Sequence, residues 1–257
     1  MKKTISAILV ALLLAVSAFA LVACGSGGIN SDQEWYNALE AYKTADAITL
    51  TINDDVRVGV LKDHVQSKIS ITFDATAGTA SIITSRTQND WHGVNWSFGA
   101  TSEYYYVLDG TNVIRYYRYV SEYSSDWQSR ITIEFDTTEL AIEYMRDLYL
   151  NPCNTEEVEF PSFLELTYYD SNMKSTGNPR ETKVNMFKNK FTQIFVDDQN
   201  LITRTFVLSF SGGKLSEYHF ELTPDDFLSN KRKTTIKIKY LSSLKLPDNL
   251  PVEDFYS

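Results

Sequence analysis

The chain has 257 residues, 43% of them hydrophobic and 22% charged, with a formal net charge of −9. An acidic chain of ordinary globular composition excludes broad adhesion to nucleic acid backbones or anionic lipid, both of which require clustered Lys and Arg. Two cysteines cannot form a disulfide-stapled scaffold.

The N-terminus reads as an export signal. Met1-Lys2-Lys3 is a short positive segment, Ile5 to Ala23 is apolar apart from Ser6 and Ser17, and the run ends in Leu21-Val22-Ala23-Cys24-Gly25. Leu-x-Ala-Cys after such a run resembles the lipobox of bacterial lipoproteins. That resemblance implies diacylglycerol in thioether linkage to Cys24, cleavage before Cys24, and anchoring to the outer face of the cytoplasmic membrane. A transmembrane anchor and an ordinary secretory signal are the competing readings, since the run is long enough to span a bilayer. Residues 24–30 then form a tether, with Gly25-Ser26-Gly27-Gly28 as its flexible part. Residues 31–257 are expected to form one domain, with no internal linker or fixed-length repeat. If Cys24 is lipidated, Cys153 has no partner and reads as a small buried hydrophobe.

Ser31-Asp32-Gln33-Glu34 is a capping box, and Trp35, Ala38, Leu39 and Tyr42 follow at helical spacing. After Asp46 the period becomes two: Ile48, Leu50 and Ile52 alternate with threonines, Asn53-Asp54-Asp55 reads as a turn, and Val56, Val58 and Val60 continue. Ile69, Ile71 and Phe73 form the next strand. Further strands are expected at 79–86, 91–98, 103–108, 113–120 and 130–135, with turns at Ala77-Gly78 and Asp109-Gly110. Close spacing with short turns predicts an antiparallel meander, because parallel strands need long crossovers.

Asp136-Thr137-Thr138-Glu139 caps a second helix with Leu140, Ala141, Tyr144, Met145 and Leu148 as its buried stripe, stopped by Asn151-Pro152. Residues 163–169 are ambiguous between strand and helix. Val184, Phe187, Phe191 and Ile194 recur at helical spacing and predict a third helix. Strands 201–210 and 214–222 should meet in a hairpin at Gly212-Gly213, since two glycines accept the positive φ of a primed turn. Thr223-Pro224-Asp225-Asp226 reads as the start of a short helix. A last strand holds Ile236, Ile238 and Tyr240, and the tail from Ser242 has two prolines and no period.

The sequence offers no catalytic constellation. His64, His92 and His219 are far apart, His64 in an expected turn and His219 on a solvent-facing side of its strand. The acid pairs at 54–55, 197–198 and 225–226 sit where turns and helix starts favour Asp. Ser171-Asn172-Met173-Lys174 matches Ser-x-x-Lys but lies in a polar stretch, and Ser242-Ser243-Leu244-Lys245 repeats the pattern by chance, with no Lys-Thr-Gly after either. No cofactor fingerprint, metal-ligand spacing or nucleic-acid motif appears, so the chain is read as a non-enzyme. The aromatic residues stand out: Tyr104-Tyr105-Tyr106 and Tyr116-Tyr117-Tyr119, with Trp91, Trp96 and Trp127 nearby in sequence. They read either as stiffening of a sheet or as a stacking surface or cavity for sugar or lipid.

Lipobox, tether, amphipathic helix near a Trp, many alternating strands, a mid-chain Glu103-Tyr104-Tyr105-Tyr106-x-x-Asp109-Gly110, a late Gly212-Gly213-Lys214-Leu215 hairpin and a Pro-containing tail follow in that order. The order resembles the small Gram-positive lipoproteins similar to the lipoprotein-carrier (LolA-like) and mycobacterial LppX/LprG-like group. The resemblance implies an α+β fold: a strongly curved antiparallel sheet, an unclosed half-barrel of about eleven strands, with helices packed on its concave face. It further implies a lipid or other apolar ligand held between sheet and helices. On that reading Trp35, Leu39, Leu140, Tyr144, Phe187 and Phe191 face Leu50 and Ile71 across the site. A cell-surface module that binds protein or cell-wall glycan through the sheet face is the alternative, and an enzyme the third.

Overall fold

The computed structural model describes residues 32–58, 63–89, 95–150, 181–185, 190–197, 202–224 and 231–256. They form twelve strands in one antiparallel sheet and two helices, an unclosed α+β arrangement. The strands are β1 (Ala47–Val58), β2 (Asp63–Asp74), β3 (Thr79–Asn89), β4 (Asn95–Asp109), β5 (Asn112–Val120), β6 (Trp127–Ile133), β7 (Glu181–Asn185), β8 (Lys190–Asp197), β9 (Ile202–Ser211), β10 (Lys214–Pro224), β11 (Lys231–Lys239) and β12 (Phe255–Tyr256). The helices are α1 (Asp32–Lys43) and α2 (Thr138–Leu150).

The spatial order is β12-β6-β5-β4-β3-β2-β1-β11-β10-β9-β8-β7. Two meanders, β1–β6 and β7–β11, are thus joined where β1 pairs with β11. Ile48, Leu50 and Ile52 of β1 stand opposite Phe73, Ile71 and Ile69 of β2, and Leu50 and Ile52 stand opposite Ile238 and Ile236 of β11. Because side chains alternate between faces, this register collects the apolar residues of both meanders on one side.

Both helices pack on that side, α1 against β10 and α2 across β2 to β5. Ala38, Leu39 and Tyr42 of α1 and Ala141, Met145 and Tyr149 of α2 join the sheet residues in one core. Thr137 Oγ1 accepts the Leu140 N–H at 3.3 Å, capping α2. Two tyrosines fasten the helices to each other. Tyr42 Oη donates to the Tyr149 carbonyl at 2.8 Å, Tyr149 Oη lies 3.1 Å from the Tyr42 carbonyl, and the rings meet edge to face at 5.5 Å.

Several expectations are corrected. Asn53-Asp54-Asp55 is the middle of one long strand, paired on both sides; Asp54 can stay in the ladder because its carboxylate finds buried partners. Residues 95–109 are one strand, not two, and it carries two extra residues where the pairing with β3 shifts from Ser85↔Thr101 to Thr87↔Ser97. The expected helix over Val184–Ile194 is instead the β7–β8 pair, with Val184 opposite Phe191. Spacings of three and four also fit two short strands and a turn, and only pairing with β9 distinguishes the cases. Thr223 and Pro224 end β10 opposite Thr203 and Ile202; the helix expected after them falls on residues outside those described. On α2, Tyr149 is fully buried whereas Leu140 is 45% exposed, so the buried stripe is shifted toward the C-terminus. Among the described residues there are twelve strands where about eleven are expected: two mergers remove two, and β7, β8 and β12 add three. Residues 151–180, 91–94 and 225–230, with the readings made on them, lie outside the described residues.

The Gly212-Gly213 hairpin is as expected: φ is +58° and +71°, the signature of a two-residue primed turn, and Ser211 pairs with Lys214.

Candidate functional site: the helix-free face of the sheet

The face opposite the helices divides into two parts. Across β3 to β6 it carries Tyr105, Ile114 and Tyr116 in a second, separate apolar cluster with Ile83, Val107 and Trp127. Leu244, Leu246 and Leu250 of the C-terminal tail pack onto this cluster. The tail is a belt: Thr49 Oγ1 donates to the Leu241 carbonyl at 3.0 Å, Trp127 Nε1 donates to the Asn249 carbonyl at 2.8 Å, and β12 then pairs with β6. Asp254 closes the belt by pairing with Arg130 and accepting the Thr132 N–H at 3.2 Å. The tail's lack of period conceals this role, because a belt packs single side chains at irregular intervals.

The two tyrosine triplets therefore serve both faces. Tyr106 is buried in the helix-side core, and Tyr104 stacks on Tyr117 at 4.5 Å on the same side. Tyr105 and Tyr116 point to the belt side and meet Trp127 edge to face at 6.0 and 5.9 Å. Arg118 lies 4.7 Å over the Trp127 ring, and its Nε and Nη2 each reach Glu103 Oε2 at 2.8 Å. Tyr105 Oη donates to the same carboxylate oxygen at 2.8 Å. Burial first, and the neighbouring Glu103 carboxylate second, push the Tyr105 phenol up to about 12.

Beside the belt, across β11, β1, β2 and β3, the helix-free face is polar and open. It holds a recess of about 480 Å³, lined by Asn53, Asp55, Gln66, Lys68, Ser85 and Thr235 among others. The recess borders the register shift between β3 and β4, with Ser85 and Thr87 on its β3 side. At its end Asp55 Oδ2 is 2.8 Å from His64 Nε2 and 3.3 Å from Gln66 Nε2. His64 is thus in β2, opposite Arg57, not in a turn. His219 does share a face with Glu217 and Glu221 but is half-buried, its Nδ1 3.0 Å from Thr235 Oγ1; burial first and Lys233 second lower its pKa. Amide, hydroxyl, carboxylate and ammonium groups here can hydrogen-bond a polar ligand in several directions. Among the described residues no three His, Cys, Asp or Glu side chains gather as a metal site requires, and no helix is long and apolar enough to cross a membrane.

No protein-family model matches the chain, and no curated protein matches it in sequence.

The residues expected to line an apolar site are only partly brought together. Leu39, Leu50 and Ile71 are within one closed-packed core, at most 6% exposed. Tyr144 is half-buried between Tyr106 and Phe135, with Leu140 exposed one turn before it. Cys24, Phe187 and Cys153 lie outside the described residues, as do the side chains of Trp35 and Phe191, whose backbones belong to α1 and β8. The recess was missed because its residues read as the solvent side of alternating strands. The signal available was their composition: Thr, Ser, Asn and Gln recur there where a plain solvent face carries Glu and Lys.

Proposed function

We propose that this chain is a lipoprotein anchored by diacylglycerol on Cys24 at the outer face of the cytoplasmic membrane, acting without catalysis as a binding module of the cell surface. Its ligand site is the helix-free sheet face, and the polar recess of about 480 Å³ carries this reading. The recess is bordered by hydrogen-bonding side chains, and the adjacent face is already covered by the belt. The tight packing of Leu39, Leu50 and Ile71 supports the surface site over an apolar cavity.

A second reading follows the LolA-like resemblance: a sheet curved into a half-barrel with helices on its concave side, taking a lipid between them. Exposed Leu140, one turn from half-buried Tyr144, favours it as an apolar entry.

Two experiments test the proposal. Cys24→Ser should move the protein to the soluble exported fraction; retention in the membrane overturns the lipid anchor. The Cys24→Ser chain should bind isolated cell wall, and Ser85→Trp, which fills the recess, should abolish that binding with the thermal midpoint kept. Saturable fatty-acid binding lost in Leu140→Asp, with cell-wall binding absent, establishes the second reading instead.

A further inference from the structure

Strand β11 carries five basic residues within nine, Lys231, Arg232, Lys233, Lys237 and Lys239, in a chain of net charge −9. The alternation sorts them. Arg232 turns to the helix side and pairs with buried Asp54, while the four lysines turn to the helix-free face and are all exposed. Lysine is a poor strand former and is used on edge strands to block aggregation. That use does not apply here, because β11 is paired on both sides, with β1 and β10.

The lysines form a stripe. Alternate residues on a strand are about 7 Å apart, so Lys231 to Lys239 spans roughly 27 Å. Arg57 stands opposite Lys231 and Lys68 opposite Asn53, extending the stripe into the recess, which Lys233 also lines. Glu217, Glu221 and Asp55 are the carboxylates standing across from it. Among the described residues no ion pair within 4 Å joins the four lysines or Lys68 to a carboxylate. Hydroxyls of Thr49, Thr51 and Thr235 alternate with the charges along neighbouring positions of the same face.

We infer that this stripe and recess bind an anionic, hydroxyl-rich chain: a glycan or polyol polymer bearing phosphate or carboxylate groups. The inference rests on the helix-free face being the binding face. Repeating anions match the steps between lysines, and sugar or polyol hydroxyls match the Ser, Thr, Asn and Gln around them. The acidic net charge of the whole chain keeps the attraction local to this stripe.

The test uses the full chain, purified in detergent and immobilised, against polyglycerol phosphate, polygalacturonate, uncharged dextran and double-stranded DNA. Binding to at least one of the two anionic polyhydroxylated polymers, tighter than to dextran and DNA and weakened by salt, is expected; which of them binds distinguishes phosphate from carboxylate. Lys233→Glu with Lys237→Glu should weaken it on the order of tenfold or more at low salt. If that pair fails to fold, Lys233→Gln with Lys237→Gln makes the same comparison. Equal binding of dextran or DNA, indifference to the lysine changes, or no binding of either anionic polymer overturns the inference. Cell-wall binding by the parent chain, kept in the lysine variants but lost in Ser85→Trp, would then leave the face as the site and reject only the charge assignment. Its survival in Ser85→Trp would reject the face as well.

Discussion

Asp54 and Arg232 meet across the seam between the two meanders. Arg232 Nε donates to Asp54 Oδ1 at 2.9 Å and Nη2 to Oδ2 at 3.2 Å, while Thr234 Oγ1 donates to Oδ1 at 2.6 Å. Asp54 is 4% exposed, Thr234 fully buried, and the partners are 178 positions apart in the chain. A planar guanidinium on a carboxylate fixes direction as well as distance, so this pair marks the register in which β11 returns to β1.

Arg232→Leu should therefore leave a buried carboxylate without its cation and cost about 3 kcal/mol. Asp54→Leu combined with Arg232→Leu should recover most of that loss, since no charge is then stranded. Urea midpoints of the two variants check this; equal destabilisation in both would show that shape, not charge pairing, matters at the seam.

The belt is held by local contacts on a cluster separate from the main core. Asp254→Ala removes the partner of Arg130, the Thr132 N–H and the Thr132 hydroxyl. A loss of about 1 kcal/mol is expected, modest because Asp254 is half exposed. Amide exchange should accelerate at Thr132 and in β12 while amides of β1 keep their protection. Uniform acceleration across both would mean that the belt and the sheet unfold as one unit.

Gly213 has φ of +71° with nothing within 4 Å of the position a Cβ would occupy. The cost of a side chain there is purely conformational. Gly213→Val should destabilise by about 1–3 kcal/mol and Gly213→Asn by much less, because Asn tolerates the left-handed region. Denaturation midpoints ordered wild type, Asn, Val would bear this out; a Val variant equal to wild type would remove the strain argument.

Burial pushes Tyr149 up to about 12, as burial and Glu103 do for Tyr105. Tyrosines of the unfolded chain ionise near 10. The folded state keeps protons that the unfolded state loses, so this contribution to stability is complete below about pH 10 and disappears as pH rises toward 12. Absorbance at 295 nm should show part of the 16 tyrosines ionising only together with loss of the far-ultraviolet sheet signal. A single smooth ionisation near pH 10 with the sheet intact would contradict it.

What the sequence determined by itself was local. Two adjacent glycines demand a turn at 212–213, Thr137 can cap only a helix that follows it, and strict alternation at Ile48, Leu50 and Ile52 makes a strand with one buried face; each follows from sterics and hydrogen bonding within a few residues. The Val184–Ile194 segment misled because its spacing satisfies both periods. Tertiary structure alone decided the pairing of β11 with β1, the place of Asp54 inside a strand, and the division of the helix-free face between a belt and an open recess. Those outcomes depend on contacts between residues more than a hundred positions apart, and local periodicity carries no information about which distant strand or tail will supply the missing partner.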